Sequence, residues 1–277
     1  MIRSNVKKIV VSGSILLLVC FAQTGYAQDV LEYTPDDAFL LPGDIRSTEG
    51  EVTYKLAPGH YDMDTQIRFQ NGFPTLQGSG SGLGADSTIL DFWTYSMSIE
   101  DSRALSVRGP MVVKDLTIMH VAGRVADLRT GWLSTPSDDT VIFENVWFVN
   151  CGTVLKSTGG RTVGTAENPM IVRNCVFATT SDFPEDFPGV GAAMTFRDTT
   201  FAVFDHCDFF NHRELVHMRL DEPETSPNEG PNVTIKNSIF LATNGDDGTP
   251  DTDDLYVGAG SLTVENSVLW DMGHYGG

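Results

Sequence analysis

Three cations and one imidazole in the second half of the chain have residue types suited to acid–base chemistry on an anion. Lys156, Arg197 and Arg219 each follow an apolar residue of a short alternating segment, and His217 lies two positions before Arg219. A cation can neutralise a substrate carboxylate while a base removes the adjacent proton and an acid protonates the leaving oxygen. These four residues are therefore the candidate catalytic residues.

Simpler interpretations of the same residues remain open. The cations can pair with neighbouring acids such as Asp198, Asp221 and Glu222, in which case they contribute little beyond surface charge. A glycoside hydrolase would need two facing carboxylates, for which Asp198 and Asp221 are the nearest candidates.

The acidic segment 244–254 offers the hard oxygen ligands that calcium prefers. Its candidate metal ligands are Asp246, Asp247, Asp251 and Asp253. The segment lacks the closing Glu of the twelve-residue calcium loop, so a solvated acidic turn is the alternative. No cofactor is predicted with certainty, and Ca2+ is the one candidate.

The strands that position these residues are predicted from a sequence motif that occurs six times, first over 111–118 and then over 141–148. Each copy has a polar pivot, and the pivots are Asp115, Asn145, Asn174, His206, Asn237 and Asn266. They are 30, 29, 32, 31 and 29 residues apart. A near-constant period in this range is typical of stacked repeats.

The alternation of apolar residues slips by one position at each pivot. A straight strand would turn half of the apolar set away from the core, so a sharp bend must separate two strands. Asn and Asp best tolerate the left-handed backbone that such a bend needs. We predict about eight coils of parallel strands, one per roughly 30 residues, each rising about 4.8 Å.

Several columns should then stack from coil to coil. The residues before the pivots alternate in charge: Lys114, Glu144, Arg173, Asp205, Lys236 and Glu265. Inward columns should contain Phe148, Phe177, Phe209, Phe240 and Leu269, and a small-residue stack of Cys175, Cys207, Ser238 and Ser267. A disulfide in that stack is disfavoured because parallel side-chain vectors would strain it. Aligning Leu155, Phe196, Met218 and Val257 as inward residues places Lys156, Arg197 and Arg219 on one outward face of adjacent coils.

This pattern resembles the right-handed parallel β-helix of the pectin-lyase-like superfamily, which often has an Asn-rich ladder at one corner. The resemblance covers roughly residues 50 to 270 and implies an all-β fold, a single-stranded solenoid with a short N-terminal cap. In related proteins one sheet faces the substrate groove. The implied organisation is a signal peptide at 1–27, a cap segment at 28–50 and the β-helix at 51–277.

Two phrases are also similar to the polysaccharide lyases that include chondroitinase B and alginate lyases. Lys156-Ser157 resembles the phrase that carries the base, and Phe196-Arg197-Asp198 resembles the one that carries the acid. The chain departs from that family at two places, because 145–155 contains no Glu to bind calcium and Asp198 replaces a His. The resemblance implies a lyase acting on an anionic polysaccharide. A non-catalytic structural or glycan-binding β-helix is the alternative.

The N-terminal 27 residues indicate export. Arg3, Lys7 and Lys8 precede an apolar segment at 9–22, and Gly25-Tyr26-Ala27 is a small-x-small cleavage site. Removing three of the 18 basic residues leaves 15 against 37 acidic ones, a net charge of −22. That charge argues against nucleic acid as a partner, and we predict a secreted protein without a membrane anchor.

The two ends of the coil differ. Thr34 followed by Pro35 and two aspartates is a helix-start signal, which predicts a covering segment at the N-terminal end. Only seven residues follow Trp270, which is too few for a capping helix. The open end of a coil is an aggregation-prone edge that repeat proteins usually cover. We therefore expect self-association, or a continuation of the chain, at the C-terminal end.

Overall fold

The computed structural model describes residues 29–98, 102–129, 140–157, 163–180, 192–197, 199–212, 214–219, 230–241, 255–270 and 275–276. In chain order its strands are β1 (Asp29–Tyr33), β2 (Glu51–Leu56), β3 (Gly59–Asp62), β4 (Ile67–Phe69), β5 (Phe73–Gln77), β6 (Thr88–Asp91), β7 (Arg103–Val107), β8 (Met111–Met119), β9 (Arg124–Leu128), β10 (Val141–Val149), β11 (Thr153–Ser157) and β12 (Met170–Arg173). They continue as β13 (Val176–Ala178), β14 (Ala192–Arg197), β15 (Phe201–Asp205), β16 (Asp208–Phe210), β17 (Glu214–Arg219), β18 (Asn232–Lys236), β19 (Ile239–Leu241), β20 (Leu255–Val257), β21 (Ser261–Glu265), β22 (Val268–Trp270) and β23 (Tyr275–Gly276). The helices are α1 (Leu41–Arg46) and α2 (Trp93–Ser98), with a 3-10 turn at Pro35–Asp37.

Two parallel sheets contain these strands. The larger has fifteen strands, with the main path β1-β2-β5-β8-β10-β12-β15-β18-β21, and the smaller has eight, in the order β4-β7-β9-β11-β14-β17-β20-β23. Each strand pairs with the equivalent strand about one repeat away, as β10 does with β8, β12 and β13. Since the chain visits both sheets repeatedly, the arrangement is consistent with a parallel β-helix.

The predicted bends are confirmed at all six pivots. Their φ angles lie between 48° and 58°, at Asp115, Asn145, Asn174, His206, Asn237 and Asn266. The first two pivots also bond to each other, since Nδ2 of Asn145 donates to Oδ1 of Asp115 at 2.9 Å. A second set of left-handed residues, not predicted from the sequence, comprises His120, Asn150 and Asn211.

The alternating charges stack in the predicted register. Glu144 lies opposite Lys114 on one side and Arg173 on the other, and the column continues through Asp205, Lys236 and Glu265. Two ion pairs form within it: Arg173 Nη2 is 2.9 Å from Glu144 Oε2, and Lys236 Nζ is 3.4 Å from Asp205 Oδ2. Both pairs are partly exposed and contribute modestly to stability, but a one-residue register slip would separate these opposite charges.

The core between the sheets is an aromatic stack. Phe177 lies 4.6 Å from Phe209, and Phe209 lies 4.8 Å from Phe240 at an interplanar angle of 6°. Phe196 of the smaller sheet contacts Phe204 of the larger at 6.2 Å. All five rings are fully buried, so these contacts join the two sheets.

Cys175 and Cys207 occupy the predicted small-residue stack. Cys175 and Cys207 are buried and free, and the column continues as the N–H of Cys207 donates to Oγ of Ser238 at 3.1 Å. A Ser hydroxyl thus takes the place of the thiol while keeping a backbone donor satisfied.

At the N-terminal side, α1 contacts β4 and buries Leu41 and Ile45 completely. Thr34 and Asp37 make the helix-start contact, with the Thr34 hydroxyl donating to Oδ2 of Asp37 at 2.7 Å. The last coil keeps its register, because Leu269 lies opposite Phe240. Leu269, predicted to face inward, is nevertheless 38% exposed, and Trp270 is 67% exposed.

The predicted signal segment at 1–27 lies outside the described residues. None of the helices that the structure describes is both long and apolar enough to cross a bilayer.

Candidate functional site

The four candidate catalytic residues all lie on the smaller sheet, on β11, β14 and β17. Their register corrects the predicted alignment: Lys156 lies opposite Thr195, whereas Arg197 lies opposite Arg219. Strands about 4.8 Å apart and a two-residue offset place the Lys156 and Arg197 backbones roughly 8 Å apart. The three cations therefore share a face, but they do not form a single column.

The inward residues show the same offset. Leu155 lies opposite Met194, and Phe196 lies opposite Met218 and, through it, Val257. A shift of two residues leaves every side chain on its original face, so apolar alternation cannot detect it.

Lys156 belongs to a row that crosses seven strands of the smaller sheet. Successive partners, here called the polar row, are Arg68, Ser106, Asp127, Lys156, Thr195, His217 and Tyr256. Six strand spacings of about 4.8 Å give this row a length of about 29 Å. Residues from seven separate turns of the chain thus form one line of polar and charged groups.

Proton-transfer groups lie toward the C-terminal end of the polar row. The rings of His217 and Tyr256 are 4.7 Å apart and inclined by 30°. Both side chains are partly exposed, as are those of Lys156 and Thr195. An imidazole and a phenol therefore lie two and three strands away from a lysine on the same face.

Ser157 connects the two phrases that resemble the polysaccharide lyases. Its hydroxyl accepts a 2.7 Å hydrogen bond from the N–H of Arg197 and donates to the Arg197 carbonyl at 3.1 Å. Thr200 also donates to this hydroxyl at 3.1 Å. The buried serine fixes β11 against the end of β14, which holds Lys156 and Arg197 on neighbouring strands.

Sequence reasoning missed the most strongly charged part of this face. Three arginines contact Asp127 near the N-terminal end of the polar row, and two more interact electrostatically with this group. We call the five the arginine cluster: Arg68, Arg103, Arg108, Arg124 and Arg129. They are five of the 18 basic residues in a chain with a net charge of −19.

Asp127 is the centre of the arginine cluster. Its side chain has no exposed surface, and Oδ2 lies 2.7 Å from Nε of Arg129 and 3.2 Å from Nη1 of Arg103. Oδ1 lies 3.4 Å from Nη1 of Arg124. The three arginine side chains retain 19–30% exposure, so they cover the carboxylate while remaining in contact with solvent.

The arginine side chains also repel one another. Burial lowers the pKa of Arg108, and the charges of Arg129, Arg68 and Arg103 lower it further. The carboxylate of Asp127 acts in the opposite direction. Since arginine remains protonated under ordinary conditions, the lowered pKa reflects first the burial of a charged side chain and then the positive charges around it.

A sequence signal for the arginine cluster was present. Arg103 and Arg108 are separated by five positions, Arg124 and Arg129 repeat that separation, and the two pairs are 21 residues apart. The first members of the pairs are partners across β7 and β9. A search at the period of the pivots does not detect this repeat, because its spacing of 21 residues is shorter than that period.

A second titratable cluster lies on the larger sheet, where β6 and β8 end beside β3. Nε2 of His60 is 3.0 Å from Oδ2 of Asp91, and Nδ1 of His120 is 3.1 Å from both Asp91 oxygens. Burial opposes ionisation of Asp91, but hydrogen bonds from His120 and the Trp93 N–H lower its pKa. The carboxylate orients both imidazoles at this corner.

The four predicted calcium ligands, Asp246, Asp247, Asp251 and Asp253, lie outside the described residues, as do Asp198 and Asp221. Within the part of the chain that is described, no group of three or more His, Cys, Asp or Glu side chains is arranged to hold a metal ion.

Models of known protein families give no match to this chain. Curated protein sequences likewise give none. The geometry of the smaller sheet is therefore the basis for a functional assignment.

Proposed function

We propose that this chain is a secreted right-handed parallel β-helix protein, similar to the pectin-lyase-like superfamily, that binds an anionic polysaccharide. A helical segment around α1 caps the N-terminal end of the solenoid. The polysaccharide lies along the polar row, parallel to the helix axis.

The supporting observation is the concentration of cations on one face of a strongly acidic chain. Lys156, Arg197, Arg219 and three members of the arginine cluster lie on strands of the smaller sheet, and Arg108 and Arg129 directly follow two of these strands, whereas the chain as a whole carries a net charge of −19. A local positive surface attracts a polyanion and orients it during encounter. The surrounding negative charge repels the same polymer, which confines binding to this face.

Strand spacing suits a linear polymer. Binding groups recur about every 4.8 Å along the polar row, a distance close to the advance of one sugar residue in an extended polysaccharide. From Lys156 to Tyr256, where the side chains of the row are partly exposed, an acidic polymer can therefore meet a polar or cationic group at each successive sugar.

The row of Lys156, Thr195, His217 and Tyr256 favours β-elimination as the reaction. Lys156 and Arg197 neutralise the uronate carboxylate, and His217 takes the proton next to it. As the carbon–oxygen bond to the leaving sugar breaks and the double bond forms, the Tyr256 hydroxyl gives a proton to the leaving oxygen. Arg219 stabilises the developing charge. A non-catalytic glycan-binding β-helix would use the same cations without the proton-transfer step.

One assay separates these two possibilities. The purified chain is titrated with polygalacturonate, alginate and chondroitin, with neutral dextran as the control polymer, and ultraviolet absorbance records unsaturated uronate products with and without calcium. Binding of acidic polymers with product formation supports the lyase, and binding without product supports the glycan-binding module. Equal affinity for dextran contradicts both.

A further inference from the structure

The outermost strands at the C-terminal end of the larger sheet present apolar side chains and a backbone edge. Among the described strands, β21 pairs only with β18, and β22 pairs only with β19. Val264 and Leu269 are 37% and 38% exposed, although the residues that they lie opposite, Ile235 and Phe240, are completely buried. The apolar columns of the core therefore continue to this end and are partly open to solvent there.

The hydrogen bonds of β21 indicate which of its backbone groups face the open edge. Both ends of the strand bond to the preceding coil, through the Ser261 N–H at 2.8 Å and the Glu265 carbonyl at 3.0 Å. In a parallel ladder the backbone groups of successive residues point alternately to the two sides of the strand. Those of Leu262 and Val264 therefore point away from β18, and such an edge is a template for a further strand.

The sequence of β21 is complementary to itself in the antiparallel direction. If two copies of the strand meet at their open edges about a twofold axis at Thr263, Leu262 of each copy lies opposite Val264 of the other. These residues carry the backbone groups that face the edge, so they form hydrogen-bonded pairs. Glu265 lies opposite Ser261 and Thr263 lies opposite itself, so no like charges meet across the axis.

Charge and the N-terminal cap both disfavour head-to-tail stacking of the same copies. At the other end of the larger sheet, Glu32 on β1 lies opposite Lys55, in the same column that ends at Glu265. Continuing the parallel register from β21 to β1 of another copy would place Glu265 opposite Glu32. The helix α1 also covers that end and buries Leu41 and Ile45 completely.

We propose that the C-terminal end of the larger sheet is a twofold dimer interface, in which β21 pairs antiparallel with β21 of a second copy about Thr263. An isologous contact of this kind closes on itself, whereas head-to-tail contacts continue into filaments. The pairing covers Leu262 and Val264 and brings the apolar ends of the two cores together. It goes beyond the proposed function, because it uses neither the smaller sheet nor a polysaccharide.

Sedimentation equilibrium of the full chain from about 1 to 100 μM tests the dimer. We expect a reversible approach to twice the monomer mass as the concentration rises. Hydrogen exchange at the amides of Leu262 and Val264 should slow over the same range, because these N–H groups become bonded across the axis. A chain that keeps the monomer mass, or that forms larger species without a dimer, overturns the proposal.

A charge placed at the axis distinguishes this dimer from other kinds of association. Thr263→Lys and Thr263→Glu each oppose two like charges and should weaken dimerisation at least tenfold, whereas an equimolar mixture of the two variants should restore it. Thr75→Lys is the matched control, because Thr75 lies in the same outward column near the N-terminal end of the sheet. It should dimerise like the unaltered chain, and melting temperatures confirm that each variant is folded.

Two results with these variants overturn the proposal. One is equal association of Thr263→Lys and Thr75→Lys. The other is a mixture of Thr263→Lys and Thr263→Glu that associates no better than either variant alone, since residue 263 then does not meet its own copy.

Discussion

Arg129 places its Nε 2.7 Å from Oδ2 of Asp127, a carboxylate with no exposed surface. The pair lies on the sheet that also carries Lys156 and Arg197. A buried carboxylate beneath partly exposed arginines stabilises the smaller sheet and keeps its positive groups in place. Asp127 therefore contributes both to the stability of the sheet and to the position of its exposed positive charges.

Asp127→Asn should lower the free energy of unfolding by about 1–3 kcal/mol, because it weakens the charge-assisted contacts of a buried carboxylate with three guanidinium groups. Urea unfolding measures the change. The control is Asp86→Asn, at an exposed position, which should change stability by less than about 0.5 kcal/mol. Equal effects of the two substitutions would show that Asp127 is not a structural anchor.

Asn174 tests the left-handed corner, since its φ is 53° and its side chain is exposed. Asn174→Val should destabilise the protein by about 1–3 kcal/mol, because a β-branched residue strains this conformation. Asn174→Gly is the matched control and should be close to neutral, since glycine adopts positive φ without strain. Similar stabilities of the two variants in urea would contradict the assigned backbone conformation.

The sequence was sufficient to predict the repeats, the corners and the charge column for definite physical reasons. A one-residue slip in the apolar alternation requires a bend, and an asparagine such as Asn145 or Asn174 readily adopts the left-handed conformation of that bend. Opposite charges such as Glu144 and Arg173 then specify which residues lie side by side. These features depend on neighbouring coils with nearly constant spacing.

The candidate site was predicted less completely because its spacing is irregular. Lys156 was assigned two residues away from its true partner, since both registers keep it on the same face. Arg103 and Arg124 were missed because their separation departs from the period of the pivots. The repeated five-residue spacing of these arginines does not by itself indicate that their side chains meet at Asp127.

Phe209 tests the aromatic stack, because its ring lies between those of Phe177 and Phe240. Phe209→Ala should cost about 3–5 kcal/mol through lost burial and a residual cavity. Phe39 is 68% exposed, so Phe39→Ala should have a small effect in the same thermal or urea experiment. A small loss at position 209 would mean that the stack does not support the core.

Asp91 should make the protein sensitive to acid. Its folded-state pKa is lowered, so its stabilising contribution is present above the unfolded value of about 3.9 and is lost as pH falls through the folded value. Asp91→Asn should be less stable than the unaltered chain near neutral pH. The difference in melting temperature should shrink below about pH 4, and a difference that grows there would contradict the hydrogen-bonded carboxylate.

The location of polysaccharide binding is measured most directly by titrating polygalacturonate into the unaltered chain and into the Lys156→Ala/Arg197→Ala double variant at increasing salt concentration. Binding on the smaller sheet predicts at least a tenfold weaker affinity for the double variant and a shallower salt dependence, because two screened charge contacts are lost. Lys55→Ala, which removes an exposed cation from the larger sheet, should match the unaltered chain. Unchanged affinity in the double variant, or equal losses in both variants, would contradict a binding face on the smaller sheet.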